Sequence, residues 1–463
     1  MKKIAIIGGG AAGLAAAIAA GNELARLGAA DECEIVLFEA DLERVGRSIL
    51  ATGNGRCNFS NAHIDPACYR NADFVEAALR SLARLSEVSE WGSVQPVGAC
   101  GASAQGRVQP AGAFEAPGRE STQSASVFEA PAQRFFSSLG LMWREEGEGR
   151  MYPAANKASS VLDVLRAALD VSGARVEFGK SLRAIELPVK GKSRFHLRFS
   201  DGSIAHAEKV VLAVGGRGVS AVDTPSVIPC ELTRPVLGPL ATDSRITRQL
   251  NNIRVKCSVS LERSGSLVAR EEGELLFRDY GVSGVCVFNL SRFACEGDVL
   301  SIDFLPHMSV ADRDAWLFAR RKHLSARLGE NGQIAAEDVL RGAMLPQVAQ
   351  VLCKCAGIDP VRPLSKKDVL ALSRVIGGLR LTVRGIGDVK QCQVSRGGLS
   401  IAAFDPQTMG AVRASGLFAA GEALDVDAPC GGYNLHWAWS SGLLAGVSAA
   451  RSAVSADGEG EGE

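Results

Sequence analysis

The chain predicts an α/β protein: a parallel-sheet domain, split in sequence, that carries an inserted β-barrel-like domain with a helical subdomain. Three observations predict it. A short apolar run at Ile4–Ile7 leads through glycines into an alanine-rich helix and then a second apolar run at 34–38. A comparable strand–glycine–helix segment recurs some 400 residues later, from Ser415 to Gly442. Between them the pattern alternates with period two from 235 to 305, turns helical from 309 to 377, and alternates again over 379–385.

Residues Ile4 to Ile7 read as a buried parallel strand, and Gly8, Gly10 and Gly13 fit G-x-G-x-x-G. The first glycine permits the turn, the second lets backbone approach a pyrophosphate, and the third lets helix lie close on strand. The helix opening at Ala11 and Ala12 offers free N–H groups and a positive dipole end to phosphates. A second strand, Glu34–Phe38, ends at Glu39, a carboxylate placed to accept from ribose hydroxyls. It stands 26 residues past Gly13, somewhat beyond the usual spacing of about 20. This is the signature of a Rossmann-like dinucleotide site. The competing reading is a signal peptide, because two lysines precede an apolar stretch. Gly8-Gly9-Gly10 breaks the helix such a peptide needs, and Ile35–Phe38 completes a βαβ unit.

Lys plus Arg equals Asp plus Glu at 51 each, so no global field favours nucleic acid or an anionic membrane. No run approaches the roughly 18 apolar residues of a membrane span. The 12 cysteines contain no C-x-x-C, and the six histidines no ligand spacing. This predicts a reducing, cytoplasmic setting and no structural metal.

Residues 47–61, from Arg47 through Gly53, Gly55, Arg56, Cys57 and Asn58, are too rich in small and amide residues for a core element. They suit a loop facing a ligand; a plain surface turn, or Cys57 as a nucleophile, are the alternatives. Residues 73–91 read as an amphipathic helix, and 98–126 as a flexible insertion. Order returns at Phe135–Leu141, and a further helix spans 159–170. Arg150 and Lys157 suit either a phosphate or a solvated face. Strands at 174–178, 181–187 and 193–199 read as a meander. Lys209–Val214 is a second buried strand ending at Gly215-Gly216. No second G-x-G-x-x-G follows it, so it closes over the first cofactor and opens no separate NAD(P)H domain. In the insert, 254–261, 274–277, 285–290 and 299–304 read as strands, and 311–327, 337–341, 346–355 and 366–375 as helices.

The closing segment ends a strand at Gly421 and Glu422, continues through Asp425 and Asp427, and reaches Gly431-Gly432-Tyr433-Asn434-Leu435-His436 at the start of a helix. A carboxylate there suits a polyol, and a helix start suits negative charge on a bound ring. NAD has no need of such a segment so far from its fingerprint, whereas the ribityl and ring of FAD extend that way. Trp437 and Trp439 read as core aromatics in either case.

Together these segments resemble the BaiN-like family, also labelled aminoacetone-oxidase-family FAD-binding enzymes. Its glycine-rich loop stands here as Gly53-Asn54-Gly55-Arg56-Cys57-Asn58, and its Gly-Arg-hydrophobic-aromatic-Pro motif as Gly149–Pro153. Its Gly-Glu-Leu-Leu-Phe and Tyr-Gly-hydrophobic-Ser-Gly runs match Gly273–Phe277 and Tyr280–Gly284. Its C-terminal motif matches Ala420–Glu422, Asp425 and Gly431–Leu435. Position 436 is His where Gln is common, and 285 is Val where Pro is common. One branch is implicated in reducing ring double bonds of 3-oxo bile-acid intermediates.

The resemblance implies an FAD-binding domain at 1–232 and 387–463, ending in an acidic flexible tail. The β domain then occupies 233–308 and 378–386, and the helical subdomain 309–377. It implies hydride transfer between FAD and a small or steroid-like enone or imine, with NAD(P)H docking transiently or a separate reductase feeding electrons. Gly8 to Gly13 and Glu39 then hold the ADP half, Glu422 or Asp425 the ribityl, and Gly432, Tyr433 and Asn434 the ring. Arg56, Cys57 and Asn58 lie near ring or pyrophosphate, and Tyr433 or His436 is the proton donor. A flavin-dependent RNA-modifying enzyme and a non-catalytic flavin-binding redox protein are the alternatives.

Overall fold

The computed structural model describes residues 1–88, 125–188, 194–328 and 334–455. The chain divides into two compact units, Met1–Arg234 with Ser395–Glu463, and Pro235–Val394.

In the first unit, strand β1 (Lys2–Ile7), helix α1 (Ala11–Arg26) and strand β2 (Cys33–Phe38) form the expected βαβ crossover, with Ile4 opposite Ile35 in parallel register. The sheet runs in the order Leu417–Ala419, Lys209–Leu212, β1, β2, Arg175–Glu177, and every pairing is parallel. Its strands are apolar on both faces because helices cover both. One cover is the helix Tyr433–Ser455, which crosses α1 with almost no side chain between them. A Cβ on Gly442 or Gly446 would stand 2.3 or 2.2 Å from the carbonyl oxygens of Ala12 and Ala16. Trp437 and Trp439 are buried beneath this helix, as read from the sequence.

The second unit is a closed barrel of six described strands, in the order Leu240–Thr242, Gly281–Ser283, Ser266–Arg278, Arg254–Arg263, Val299–Asp303, Leu379–Ile386. Alternate residues such as Cys257, Val259 and Leu261 fill its interior. Helices Val310–Leu328, Pro346–Cys355 and Lys366–Ile376 belong to the same unit. The last of them begins at a capping box between Ser365 and Asp368.

Three expectations change. Arg175–Glu177 joins β2 in the parallel sheet, so the meander is Leu182–Glu186, Phe195–Phe199 and Ile204–Ala207. Residues 285–290, read as a strand, form the helix Val285–Ser291. Burial of Cys286, Val287, Leu290 and Ser291 follows a helical period, which the continuous apolar run from Val285 to Phe288 conceals. Phe135 and Phe136 lie in a helix already under way at Ala125. The 98–126 insertion falls almost wholly outside the described residues, as does the acidic tail.

Candidate functional site

The fingerprint glycines do three different jobs. Gly8 has φ +103°, and a Cβ there would come within 2.5 Å of the Ala213 carbonyl oxygen. A Cβ on Gly13 would stand 1.8 Å from the oxygen of Gly8, so only glycine lets α1 meet β1. Gly10 borders open space, with the Ser48 hydroxyl at 3.5 Å as its nearest neighbour. No side chain caps α1 at Gly10, and no acid occupies its first turn. The leading N–H groups, including those of Ala11 and Ala12, therefore lack intrahelical partners. Gly215, at φ +72° past the adjacent strand, also meets nothing within 4 Å. Glu39 is half-buried beside this turn, accepting 2.7 Å bonds from the N–H groups of Gly9 and Asp41. Arg47 is exposed, its guanidinium on Asp41 at 3.1 Å.

The loop after Arg47 is held by side chains. Arg56 hydrogen-bonds Asn156 and Glu146 and lies 3.9 Å over the Tyr152 ring. That bond to Arg56, with Arg144 adding a second, keeps the Glu146 carboxyl below its ordinary range. Asn58 accepts from the Met151 N–H at 3.1 Å, and Gly53 adopts φ +55° directly against Asn58. Two motifs that are separate in sequence, 53–58 and 149–153, are thus one latch. Arg56 bonds protein through Nε and Nη2, and Asn58 through Oδ1. Cys57 is wholly buried, and burial pushes its thiol up to about 11. Such a thiol is a poor nucleophile.

Gly421, at φ +64°, would place a Cβ 2.9 Å from that of Ala12, so the C-terminal segment abuts the first turn of α1. Its N–H donates to Ser441 and its carbonyl accepts from the Trp437 indole. Glu422 is half-buried, with its carboxylate accepting from the Ser395 N–H at 3.3 Å. Burial raises it to about 7 against the opposing pull of Ser395 and Arg217, and Asp427 adds repulsion.

Asp425 is not a free acceptor. Arg70 Nε reaches both of its oxygens at 2.9 and 2.8 Å, and the Gly397 N–H adds a bond of 2.8 Å. Asp427 is fully buried in a bidentate pair with Arg396, at 2.8 Å each. Asn434 closes a ring with the backbone of Ala428, accepting from its N–H and donating to its oxygen at 2.9 Å each.

Gly432, at φ +99°, stands where a Cβ would fall 2.2 Å from the Ser60 oxygen. His436 is fully buried, with Nδ1 3.0 Å from the Ser60 hydroxyl. Its side chain has no exposed surface, and Ser60 ties it to the loop that follows Asn58. Tyr433 is half-buried, and its hydroxyl donates to the His63 oxygen at 3.1 Å.

Sequence reasoning missed Arg70, Ser395 and Arg396 as members of this site, and did not foresee the bonds of Ser60 and Asp427. Arg70 and Asp425 are 355 positions apart, and neither carries a local signal of the other. Among the described residues, no group of three or more His, Cys, Asp or Glu side chains could hold a metal. Within the same residues, no helix is long and apolar enough to cross a membrane.

A family model described as the HI0933-like protein Rossmann domain matches residues 118–448. The chain belongs to that family. Among similar curated proteins is the 3-dehydro-bile acid delta(4,6)-reductase of Clostridium scindens, 28% identical over 97% of this chain and 99% of its own. The ribosomal RNA dihydrouridine synthase of Haemophilus influenzae is 25% identical over 96% of this chain and 98% of its own. The Escherichia coli protein of the same name is 25% identical over 94% and 95%. The family match begins past the fingerprint, which these nearly full-length relatives span.

Proposed function

We propose that this HI0933-like protein is an FAD-dependent oxidoreductase that reduces a carbon–carbon double bond conjugated to a carbonyl. The observation that carries the reading is the meeting of Gly421 with Ala12. It puts the second glycine segment against the first turn of the fingerprint helix, so one extended cofactor spans both. The bare surfaces at Gly10 and Gly215 fit a pyrophosphate. The free N–H groups of α1 suit its charge, and Glu39 stands where a ribose would be held. Glu422 and the start of the helix at Tyr433 are the groups this chain offers to the ribityl and ring. When bound, the flavin supplies hydride exchange at its ring. The chain orients the cofactor, excludes water, and stabilises negative charge at the helix start.

The relatives' names converge on one chemistry. The 4,6 double bonds of a 3-oxo bile acid and the 5,6 double bond of uracil are both conjugated to a carbonyl. Hydride addition at the far carbon leaves charge on the oxygen in each case. A small or steroid-like enone is the first reading for this chain, with an imine as the same chemistry on nitrogen. A uracil within ribosomal RNA is the second, favoured by two relatives aligned over nearly the whole chain.

The test is cofactor extraction followed by anaerobic turnover with a panel of conjugated ketones, imines, free uridine and ribosomal RNA. FAD with turnover of at least one member supports the proposal, whereas FAD with none leaves the non-catalytic redox alternative. Electrons come from NAD(P)H docking transiently, or from a separate reductase. Stopped-flow mixing with NADH and with NADPH decides between them: bleaching with either supports direct reduction, and bleaching with neither sinks it.

A further inference from the structure

The zero net charge of this chain is a sum over two unlike parts. Between Pro235 and Val394 there are 22 Lys and Arg against 17 Asp and Glu, a net of +5. The remainder holds 29 against 34, a net of −5. Within the inserted unit, residues 309–377 alone carry 11 cations against 7 acids.

Local bonds use up several of those acids. Asp312 bonds Ser309, Asp338 pairs with Arg341, and Asp368 caps the helix at Ser365 while pairing with Arg362. Meanwhile Arg245, Arg248, Lys354, Lys366 and Arg374 are all exposed, and none has an ion-pair partner among the described residues.

The fold gathers part of this charge. The helix Pro346–Cys355 packs against the turn Arg248–Leu250, and Arg245 acts electrostatically on Cys355. Lys354 directly precedes Cys355 at the end of that helix, and Arg248 opens the turn packed against it. Lys367 and Arg374, seven residues apart, lie on one exposed face of the neighbouring helix. The apolar faces of both helices are buried: Val348, Val351 and Leu352 in one, Val369 and Leu372 in the other. A membrane-surface helix needs that face turned outward.

We propose that this face of the inserted unit docks the phosphate backbone of a structured RNA, with Arg245, Arg248 and Lys354 at its centre. Exposed cations without acidic partners match a ligand bearing one charge per nucleotide, and such contacts position the ligand without reading sequence. Choosing RNA among polyanions rests on the nucleobase reading above, but the surface itself does not.

The test uses the full-length flavoprotein and a fluorescein-labelled RNA hairpin, followed by anisotropy across a salt series. Two double variants carry the same change in net charge: R245E/K354E in the inserted unit and R183E/R413E on exposed positions of the other. Thermal melts confirm that both fold. The expected result is a salt-dependent affinity that R245E/K354E weakens at least tenfold at low salt. Its log–log salt slope becomes shallower by about 0.9 for each phosphate the variant no longer neutralises. R183E/R413E stays within about twofold, a margin far below the tenfold weakening that 1.4 kcal/mol represents.

Equal losses in both variants, no hairpin binding at any salt, or preference for phosphatidylglycerol vesicles would each overturn the proposal. So would sedimentation showing that the affected interaction is self-association through the oppositely charged unit. Enone and uridine turnover are read in parallel. Abolished hairpin binding with small-substrate turnover intact separates the surface from the reductase site, and turnover of neither substrate condemns the reductase reading alone.

Discussion

The glycine turn at Gly8–Gly13 and the segment Gly421–Asn434 follow strands of one parallel sheet, yet they keep their shapes by different means. The first is almost all backbone. Gly8 and Gly13 are required because carbonyl oxygens occupy the space a Cβ would take, and the helix that follows starts without a side-chain cap. The second is tied down by polar side chains: Asp425 on Arg70 and Gly397, Asp427 on Arg396, Asn434 on Ala428. Bare backbone suits a phosphate, which many proteins bind alike. A tethered loop suits the end of a cofactor where geometry decides the chemistry.

Substitutions that attack each device separately sharpen this contrast. The largest effect is expected from Gly13→Val, which forces a side chain onto the Gly8 oxygen. The variant should lose FAD on purification or fail to fold, read from the 450 nm absorbance of the soluble fraction.

Asp427→Ala removes both carboxylate bonds to the largely buried Arg396 guanidinium and should cost about 3–5 kcal/mol in denaturant melts. If the cost is under 1 kcal/mol, side chains do not hold this segment. Asn434→Ala removes three bonds to backbone, at Ala428 N, Ala428 O and Pro429 O, and should cost about 1–3 kcal/mol, with flavin retention falling alongside.

Glu422 provides a pH test. Its pKa in the fold is about 7, raised from an ordinary 4.5, so the folded state binds the proton more tightly than the unfolded chain. Its contribution is fully present below the unfolded value and is lost as pH rises toward 7, at no more than about 1.4 kcal/mol per pH unit. Glu422→Gln should flatten the decline in melting temperature between pH 5 and 7.5. An unchanged profile would show that this carboxyl is not held neutral.

The smallest effect belongs to Cys57→Ala. Turnover should stay within about twofold, because a buried thiol raised to about 11 takes no part in chemistry near neutral pH. A loss of a hundredfold or more would restore Cys57 as a nucleophile.

The fingerprint was legible because every requirement in it is local: a strand, a turn needing φ > 0, a helix, and a carboxylate one strand later. The barrel was legible in outline because alternation marks strands facing an interior. The helix Val285–Ser291 was not, since the continuous apolar run Val285-Cys286-Val287-Phe288 satisfies either period. In the candidate site, residue types were readable but their partners were not. Arg56, Asn58, Asp425 and Asn434 look like ligands in sequence because polar residues among glycines usually face something. Each of them also bonds protein, and the partner of Asp425 lies at Arg70. Net charge misled in another way: one total conceals two opposed halves.

The crossing at Gly442 and Gly446 bears on how the molecule is made. Helix α1 is synthesised well before the glycines that lie on Ala12 and Ala16, with the inserted unit between them. Throughout translation the alanine face of α1 waits uncovered while the entire inserted unit is threaded out between its two halves. A domain generally folds as a unit once its parts are present. The barrel, contiguous in the chain, can therefore fold on the ribosome before the cofactor domain that surrounds it in sequence.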